Sequence, residues 1–249
     1  MPSIGASFLV LDTVDSTNIH AMRLASGQDV GHGTVVFARR QTAGKGQRGR
    51  SWAAETGSSI LMSVVLDTAG IEGGCGFPLS ITAALAASDL LRVHLGEAVR
   101  IKWPNDLYWH DRKAGGILIE NILRGRRCRR SVVGIGINVN QASFDPSLPN
   151  PVSIRQVTGR TQDPEGLART LCGHLEARLS TLSAEGPAGL LAAYNERLYG
   201  RGQPLSFGSA GDRFTGIIEG VGADGVLTIR RPHAVRYRHG EVAFLGAGD

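Results

Sequence analysis

The sequence predicts a mixed α/β domain followed by a small all-β unit of about fifty residues. Three observations predict it. Up to Gly200, helix-length stretches with apolar residues three and four apart alternate with short β-rich runs. After Gly200 only short, strand-length runs remain, punctuated by Gly, Asp and Pro, as in Gly222-Ala223-Asp224-Gly225. The chain has 249 residues, 42% of them hydrophobic, enough for a substantial core in one large domain or in one medium domain plus a small one.

Taken in order, Asp15-Ser16-Thr17-Asn18 precedes apolar Ile19, Met22 and Ala25, and Gly27 follows, the pattern of an N-capped short helix with a glycine stop. Residues 34–38 and 60–66 are β-rich, with a glycine- and arginine-rich loop between them. Residues 78–95 carry Ile81, Ala84, Leu85, Leu91 and Leu95 at helical spacing and stop at Gly96. Strand-like runs follow at 99–103, 117–123 and 132–139, then a Pro/Asn/Ser loop at 141–153. Residues 165–182 and 188–198 predict two more helices, the second opened by Pro187. The remaining strand-length runs are 205–207, 214–219, 226–230, 234–238 and 242–245, suggesting a small barrel. No internal repeat or low-complexity tail interrupts this order.

Charge and cysteine counts narrow the function classes. The formal net charge is +5, from 27 basic and 22 acidic residues. Ten of the basic residues lie in two acid-free clusters: Arg39, Arg40, Lys45, Arg48 and Arg50, then Arg124, Arg126, Arg127, Arg129 and Arg130. Without them the chain is net acidic, so the positive charge is local and offers nucleic acid only a small footprint. No run is long enough to span a membrane, and the N-terminus lacks a signal-peptide pattern. Cys75, Cys128 and Cys172 are odd in number and form no zinc spacing, which fits a reducing cytoplasm.

Residues 44–49, Gly-Lys-Gly-Gln-Arg-Gly, match the letters of a dinucleotide fingerprint. Their context does not: Arg39–Ala43 separate the first glycine from the strand, and residues 50–59 carry Gly57 and no helical stripe. No Gly-Lys-Ser or Gly-Lys-Thr occurs, which excludes a Walker loop. Three glycines and the cations among them suit a loop that encloses a polyanion and later releases it, with Trp52 downstream to cover a ring. Lys102-Trp103-Pro104-Asn105-Asp106 reads either as an ordinary turn or as a strand end whose Asn105 and Asp106 meet a ligand, Asp106 holding Mg²⁺ with phosphate oxygens. Gly115 and Gly116 weaken the start of the following strand unless something approaches its backbone. Lys45, Lys102 and Lys113 are the only lysines against 24 arginines, and all three fall in these segments. Gly134 and Gly136, two apart on one strand face, make either the wall of a flat slot or a close backbone contact. The Arg124–Arg130 cluster reads as the solvated tip of a hairpin.

Together and in order, these segments resemble the biotin–protein ligase family. The resemblance rests on Asp-Ser-Thr-Asn at 15–18, Gln-Thr-Ala-Gly-Lys-Gly-Gln-Arg-Gly-Arg-Ser-Trp at 41–52, Lys-Trp-Pro-Asn-Asp-Leu-Tyr at 102–108, Arg-Lys-Ala-Gly-Gly-Ile-Leu-Ile-Glu at 112–120 and Gly-Ile-Gly-Ile-Asn at 134–138. It implies a catalytic biotin- and ATP-binding domain over 1–200 and an SH3-like β-barrel domain over 201–249. It implies activation of biotin as biotinyl-5′-AMP, with ATP and Mg²⁺ and no tightly bound prosthetic group, then transfer to a lysine of a biotin carboxyl carrier domain. By resemblance, biotin contacts fall to Ser16, Thr17, Asn18, Gln41, Lys45, Gly46, Gln47, Lys113, Gly116, Gly134 and Gly136. ATP and adenylate contacts fall to Gly44, Arg48, Arg50, Trp52, Asn105 and Asn138. Lys113, Arg48 and Asp106 carry the chemistry, Asp106 also as the Mg²⁺ ligand.

The family loop usually reads Gly-Arg-Gly-Arg-Arg-Gly, so Lys45 and Gln47 depart from it. Only fifteen residues precede Ser16, so no DNA-binding domain is expected there, nor DNA or membrane partners, and the protein is expected to be a monomer or homodimer. Lipoate–protein ligase activity, or a basic nucleic-acid-binding module without catalysis, are the competing readings.

Overall fold

The structure, a computed structural model, describes residues 3–27, 30–69, 75–125 and 127–245, with the side chains of Arg124 and Arg127 left aside. In chain order the elements are β1 (Phe8–Val14), α1 (Thr17–Gly27), β2 (Val35–Gln41), β3 (Ser59–Asp67), α2 (Phe77–Leu95), β4 (Val99–Lys102), β5 (Asp106–Trp109), β6 (Arg112–Arg124) and β7 (Arg127–Asn138). There follow α3 (Ile154–Thr158), α4 (Pro164–Glu185), α5 (Pro187–Glu196), β8 (Pro204–Ser209), β9 (Asp212–Val221), β10 (Leu227–Arg231), β11 (His233–Tyr237) and β12 (Ala243–Phe244).

The first seven strands form one mixed sheet in the order β1-β2-β3-β7-β6-β5-β4. β1 and β2 run parallel, joined through α1, and all the other neighbours are antiparallel. α2 is buried nearly all round because its sequence offers apolar or small residues on every face. With α4 and α5 it covers one side of the sheet. Ile60, Met62, Val64 and Leu66 of β3 and Val133, Ile135 and Ile137 of β7 point into this core. Alternation along a strand then sends the intervening residues to the opposite face. There α1 packs Ala21 and Ala25 against Val36, Val65 and Val132.

β8–β12 form a second, antiparallel sheet in the order β11-β10-β9-β8-β12, an open five-stranded sheet. The barrel suggested by the run of short strands is not closed here. The apolar residues of this sheet, including Phe207, Ile218, Leu227 and Ile229, belong to the same contiguous core as α2 and the large sheet. Two polar clasps fix the junction: Trp103 Nε1 donates to the Gly225 carbonyl at 3.0 Å, and the Asn195 side chain bonds both N–H and C=O of Val221.

Three elements escape the sequence pattern. β1 is an edge strand, half-exposed without regular alternation. β5 lies directly behind the Pro-Asn-Asp turn, and α3 is a single capped turn opened by Ser153, whose hydroxyl accepts from the Gln156 N–H. The cysteines also differ from the expectation of thiols in a reducing compartment: Cys75 and Cys128 are joined as a disulfide with their Cα atoms 6.1 Å apart, while Cys172 is free and buried. β6 and β7 do form the expected hairpin. Its arginines are not all solvated, since half-buried Arg130 donates to the Ala25 carbonyl at 2.8 Å, near the end of α1. Arg126 and the side chains of Arg124 and Arg127 lie outside the described residues.

Candidate active site

The sheet face opposite α2 becomes a cleft where α1 ends its cover. Alternation delivers Leu61 from β3, Gly134 and Gly136 from β7, Gly116 and Leu118 from β6, Asp106 and Tyr108 from β5 and Lys102 from β4 to this face. The second sheet forms the far wall with its β8–β9 turn and residues 239–245. The space enclosed is about 780 Å³, in the range of small-molecule sites.

One end of the cleft is neutral and polar. Gln41, at the end of β2, accepts at Oε1 from the Thr17 N–H (2.8 Å) and the Thr17 hydroxyl (3.1 Å). It thereby supplies an acceptor for an N–H at the start of α1. Asn18 is fixed in orientation because Oδ1 accepts from Ser63 (2.6 Å) while Nδ2 donates to Glu120 (3.0 Å). Ser63 also lies 2.8 Å from the Thr17 hydroxyl, so five side chains from four elements form one network. Ser63 pairs directly with Gly134 across the β3–β7 ladder, and a β-carbon at Gly134 would overlap the Asn18 amide. The glycine is therefore the seat of Asn18. Gly136 does the same for Trp52, whose indole would lie 2.7 Å from an added β-carbon. Both glycines line the cleft, as the slot reading has it, and the space beside them is taken by side chains rather than by the backbone of the other reading.

The other end is cationic. The glycine-rich loop folds back on itself through Trp52 N–H to the Gly44 carbonyl (2.8 Å) and Gly46 N–H to the Arg50 carbonyl (2.7 Å), with a short 3₁₀ turn over Gln47–Gly49. Arg48 adopts a left-handed φ of 55° there. Gln47 Oε1 and Trp52 Nε1 are buried atoms without a protein partner.

Lys113 and Asp106 join the two ends, with Nζ 2.8 Å from Oδ1. Strict alternation would turn Lys113 away from the cleft. A bulge prevents this: Leu107 pairs with Gly115 but Tyr108 pairs with Lys113, so Ala114 is an extra residue that rotates Lys113 onto the Asp106 side. Lys113 Nζ also lies 5.8 Å from the Trp52 ring centre. Lys102 Nζ sits 4.6 Å over the Tyr108 ring and donates to its hydroxyl at 3.2 Å. Burial pushes the Tyr108 hydroxyl pKa up, and the neighbouring Asp106 charge adds to this, so the phenol stays protonated. Burial holds His239 below the usual histidine pKa, and the Arg48 guanidinium adds to it.

Sixteen of the residues singled out in the sequence line this cleft: Ser16, Thr17, Asn18, Gln41, Lys45, Gly46, Gln47, Arg48, Arg50, Trp52, Asn105, Asp106, Lys113, Gly116, Gly134 and Gly136. Two lie off it. Asn138 is buried behind the wall, its amide donating to the Val152 carbonyl at 3.1 Å. Gly44 sits at the base of the loop, where the Trp52 carbonyl leaves no room for a β-carbon. Asn105 lines the cleft, but its amide donates to the Ile117 carbonyl at 2.7 Å, tying the turn to β6. Sequence reasoning missed Ser63, Glu120, His239 and Gly240. Only Ser63 left a signal, as the single polar residue inside the apolar run 60–66.

Among the described residues no three His, Cys, Asp or Glu side chains gather to hold a metal. Asp106, Asp212 and Glu241 line the cleft, and of these Asp106 is the carboxylate beside Lys113. A single carboxylate suits Mg²⁺ that arrives with a polyphosphate, whose oxygens complete the shell.

A mixed sheet with helices on one face and a cleft on the other, half neutral and half cationic, defines an α/β protein built to hold an anion beside an uncharged polar group. The comparisons give the family. The model of the biotin/lipoate A/B protein ligase family matches residues 10–138. A biotin–[acetyl-CoA-carboxylase] ligase of Paracoccus denitrificans is 34% identical over 229 residues, covering 90% of this chain and 94% of its own. The bifunctional ligase/repressor BirA of Escherichia coli is 29% identical over 98% of this chain and 75% of its own. The biotin protein ligase of Aquifex aeolicus, solved with biotin and ATP, superposes with a TM-score of 0.81 at 24% identity, covering 96% and 99% of the two chains. The chain belongs to the biotin/lipoate A/B protein ligase family.

Proposed function

We propose that the chain is an ATP-dependent biotin–protein ligase, which joins biotin to AMP and then passes the biotinyl group to a lysine of a biotin carboxyl carrier domain. The observation that carries this reading is the position of Lys113, paired with Asp106 where the neutral and cationic halves of one cleft meet. Biotin's ureido ring needs convergent donors and acceptors, and the Thr17–Asn18–Gln41–Ser63 network supplies them around the neutral end. Lys45, Arg48 and Arg50 surround the space for the triphosphate, and Trp52 lies beside the space for adenine.

Activation brings a carboxylate to a polyphosphate, and two unit charges 4 Å apart repel by about 4 kcal/mol even at an effective dielectric near 20. Lys113 offsets that repulsion at the point of attack, and Arg48 and Arg50 stabilise the charge that grows on the α-phosphate. Asp106 is the residue that would hold Mg²⁺ carried in with ATP, where the ion would screen the phosphates and aid departure of pyrophosphate. In the second half-reaction the carrier lysine attacks the acyl carbon and AMP leaves. The glycine-rich loop keeps water from the anhydride in between.

The division into a catalytic domain, residues 1–200, and an SH3-like domain, residues 201–249, belongs to the same proposal. The run of five short antiparallel strands supports it. No helix among the described residues is long and apolar enough to cross a membrane.

Pyrophosphate exchange into ATP tests the function, run with biotin, with lipoate and with neither acid. Exchange with biotin alone is expected. Exchange with lipoate alone would move the chain to the other branch of its family, and exchange with neither would remove the adenylation step.

A further inference from the structure

The turn joining β11 to β12 reaches the glycine-rich loop from the opposite wall of the cleft, and the two meet at Arg48. Arg48 Nη2 donates to the His239 carbonyl at 3.2 Å. The guanidinium lies so close to the backbone of Gly240 that a β-carbon there would overlap Nη1, Nη2 and Cζ. Gly240 itself has a φ of 92°, in the left-handed region. The turn is anchored in its own right. The His239 ring packs edge-on against Trp103 at 5.9 Å, and Trp103 in turn holds the second sheet through Gly225. The bonds inside the glycine-rich loop shape it locally, whereas the Arg48–His239 bond ties it to the opposite wall of the cleft.

We propose that Gly240 is a positioning residue for ATP: its bare backbone seats the Arg48 guanidinium and so holds the glycine-rich loop over the triphosphate. This rests on the ligase reading, in which Arg48 faces the phosphates. One of the five guanidinium donors goes to the His239 carbonyl, which leaves the others for phosphate oxygens without moving the side chain. The second sheet therefore acts as a fixed jaw. Ordering Arg48 before ATP arrives spares the cost of immobilising a long side chain on binding.

The test is a double-mutant cycle in biotin-dependent pyrophosphate exchange on the full chain. Gly240→Ala and Arg48→Ala should each raise KM for ATP by about tenfold, with KM for biotin within about twofold of wild type. The double variant should be no worse than Arg48→Ala, since removing the guanidinium frees the space the new methyl needs. An undiminished Gly240→Ala effect in the Arg48→Ala background would mean backbone strain alone, and would overturn the proposal. So would a wild-type KM for ATP in Gly240→Ala. Hydrogen exchange decides the matter if Gly240→Ala does not fold. Arg48→Ala should then speed exchange at 238–242 as well as at 44–52, and unchanged exchange at 238–242 overturns the proposal. A wild-type enzyme without biotin-dependent exchange would instead defeat the ligase reading, a failure visible before any variant is made.

Discussion

Lys113 concentrates the chemistry at a single ammonium, and its neighbours say what should happen without it. It is the cation that bridges the cleft's two halves, paired to Asp106 at 2.8 Å and held on that side by the Ala114 bulge. Lys113→Ala should lower the rate of biotin-dependent pyrophosphate exchange by roughly 10²–10³. The fold should survive, because both partners are partly exposed and surface pairs contribute little to stability. Unchanged circular dichroism with activity near wild type would remove Lys113 from the site. The scarcity of lysine marked this residue in the sequence, but its direction was not legible there, since a bulge inverts the face that strand alternation assigns. Gln47 allows the complementary experiment. Its buried carbonyl oxygen has no partner in the glycine-rich loop, at a position where the family usually places an arginine. Gln47→Arg should slow the loss of biotinyl-AMP from a gel-filtered complex by about fivefold or more, through an added charge-assisted contact. Equal release from both proteins would show that the missing cation has no effect on retention.

At the level of elements, the site depends on one strand whose glycines leave room for side chains from elsewhere. Gly134 admits Asn18 from α1, and Gly136 admits Trp52 from the loop after β2. A methyl at either place displaces a different partner, so the two substitutions should separate. Gly134→Ala is expected to raise KM for biotin by about tenfold, and Gly136→Ala to raise KM for ATP by a similar factor. Steady-state kinetics with each substrate varied in turn would show this. Equal changes in both constants for both variants would mean that the strand itself has shifted. The sequence carried the long helices and the central strands clearly, because α2 and β3 are apolar over most of their length. β1 and β5 were hidden for physical reasons. β1, at the sheet edge, buries too little to show a period, and β5 follows a turn whose residues look like loop. The role of the paired glycines needed the third dimension as well, since Asn18 and Trp52 are distant from them in sequence.

On the scale of the whole molecule, the cleft exists because helices behind the large sheet hold two sheets at a fixed setting, and one carboxylate ties those helices together. Asp89 of α2 accepts from Arg178 of α4 at 2.8 and 3.0 Å, and from Arg197, just past α5, at 2.6 Å. Burial alone would push the Asp89 pKa up. The hydrogen bonds and charges of the two arginines outweigh it, so the group titrates below its ordinary value of 3.8. A depressed folded-state pKa means stability that is present above the unfolded pKa and lost as pH falls through the folded one. Asp89→Asn should therefore reduce stability by about 2 kcal/mol at neutral pH, leaving two arginines partly unpaired in a half-buried site. The deficit should begin to shrink as pH drops below about 4, where the unfolded chain takes up the proton first, and should be lost only once pH falls through the depressed folded-state pKa of Asp89. Urea unfolding at a series of pH values reads this directly. A gap between the two proteins that stays constant down to pH 2.5 would show that the charge on Asp89 contributes nothing and that only its shape matters. The same residue bears on the cleft: Arg197 leads into Leu198 and Tyr199, which lie against Ile101 of β4, and Asn195 clasps the second sheet through Val221. Loosening the clasp should thus raise KM for ATP in Asp89→Asn at temperatures well below its unfolding midpoint. An unchanged KM there would confine Asp89 to stability alone.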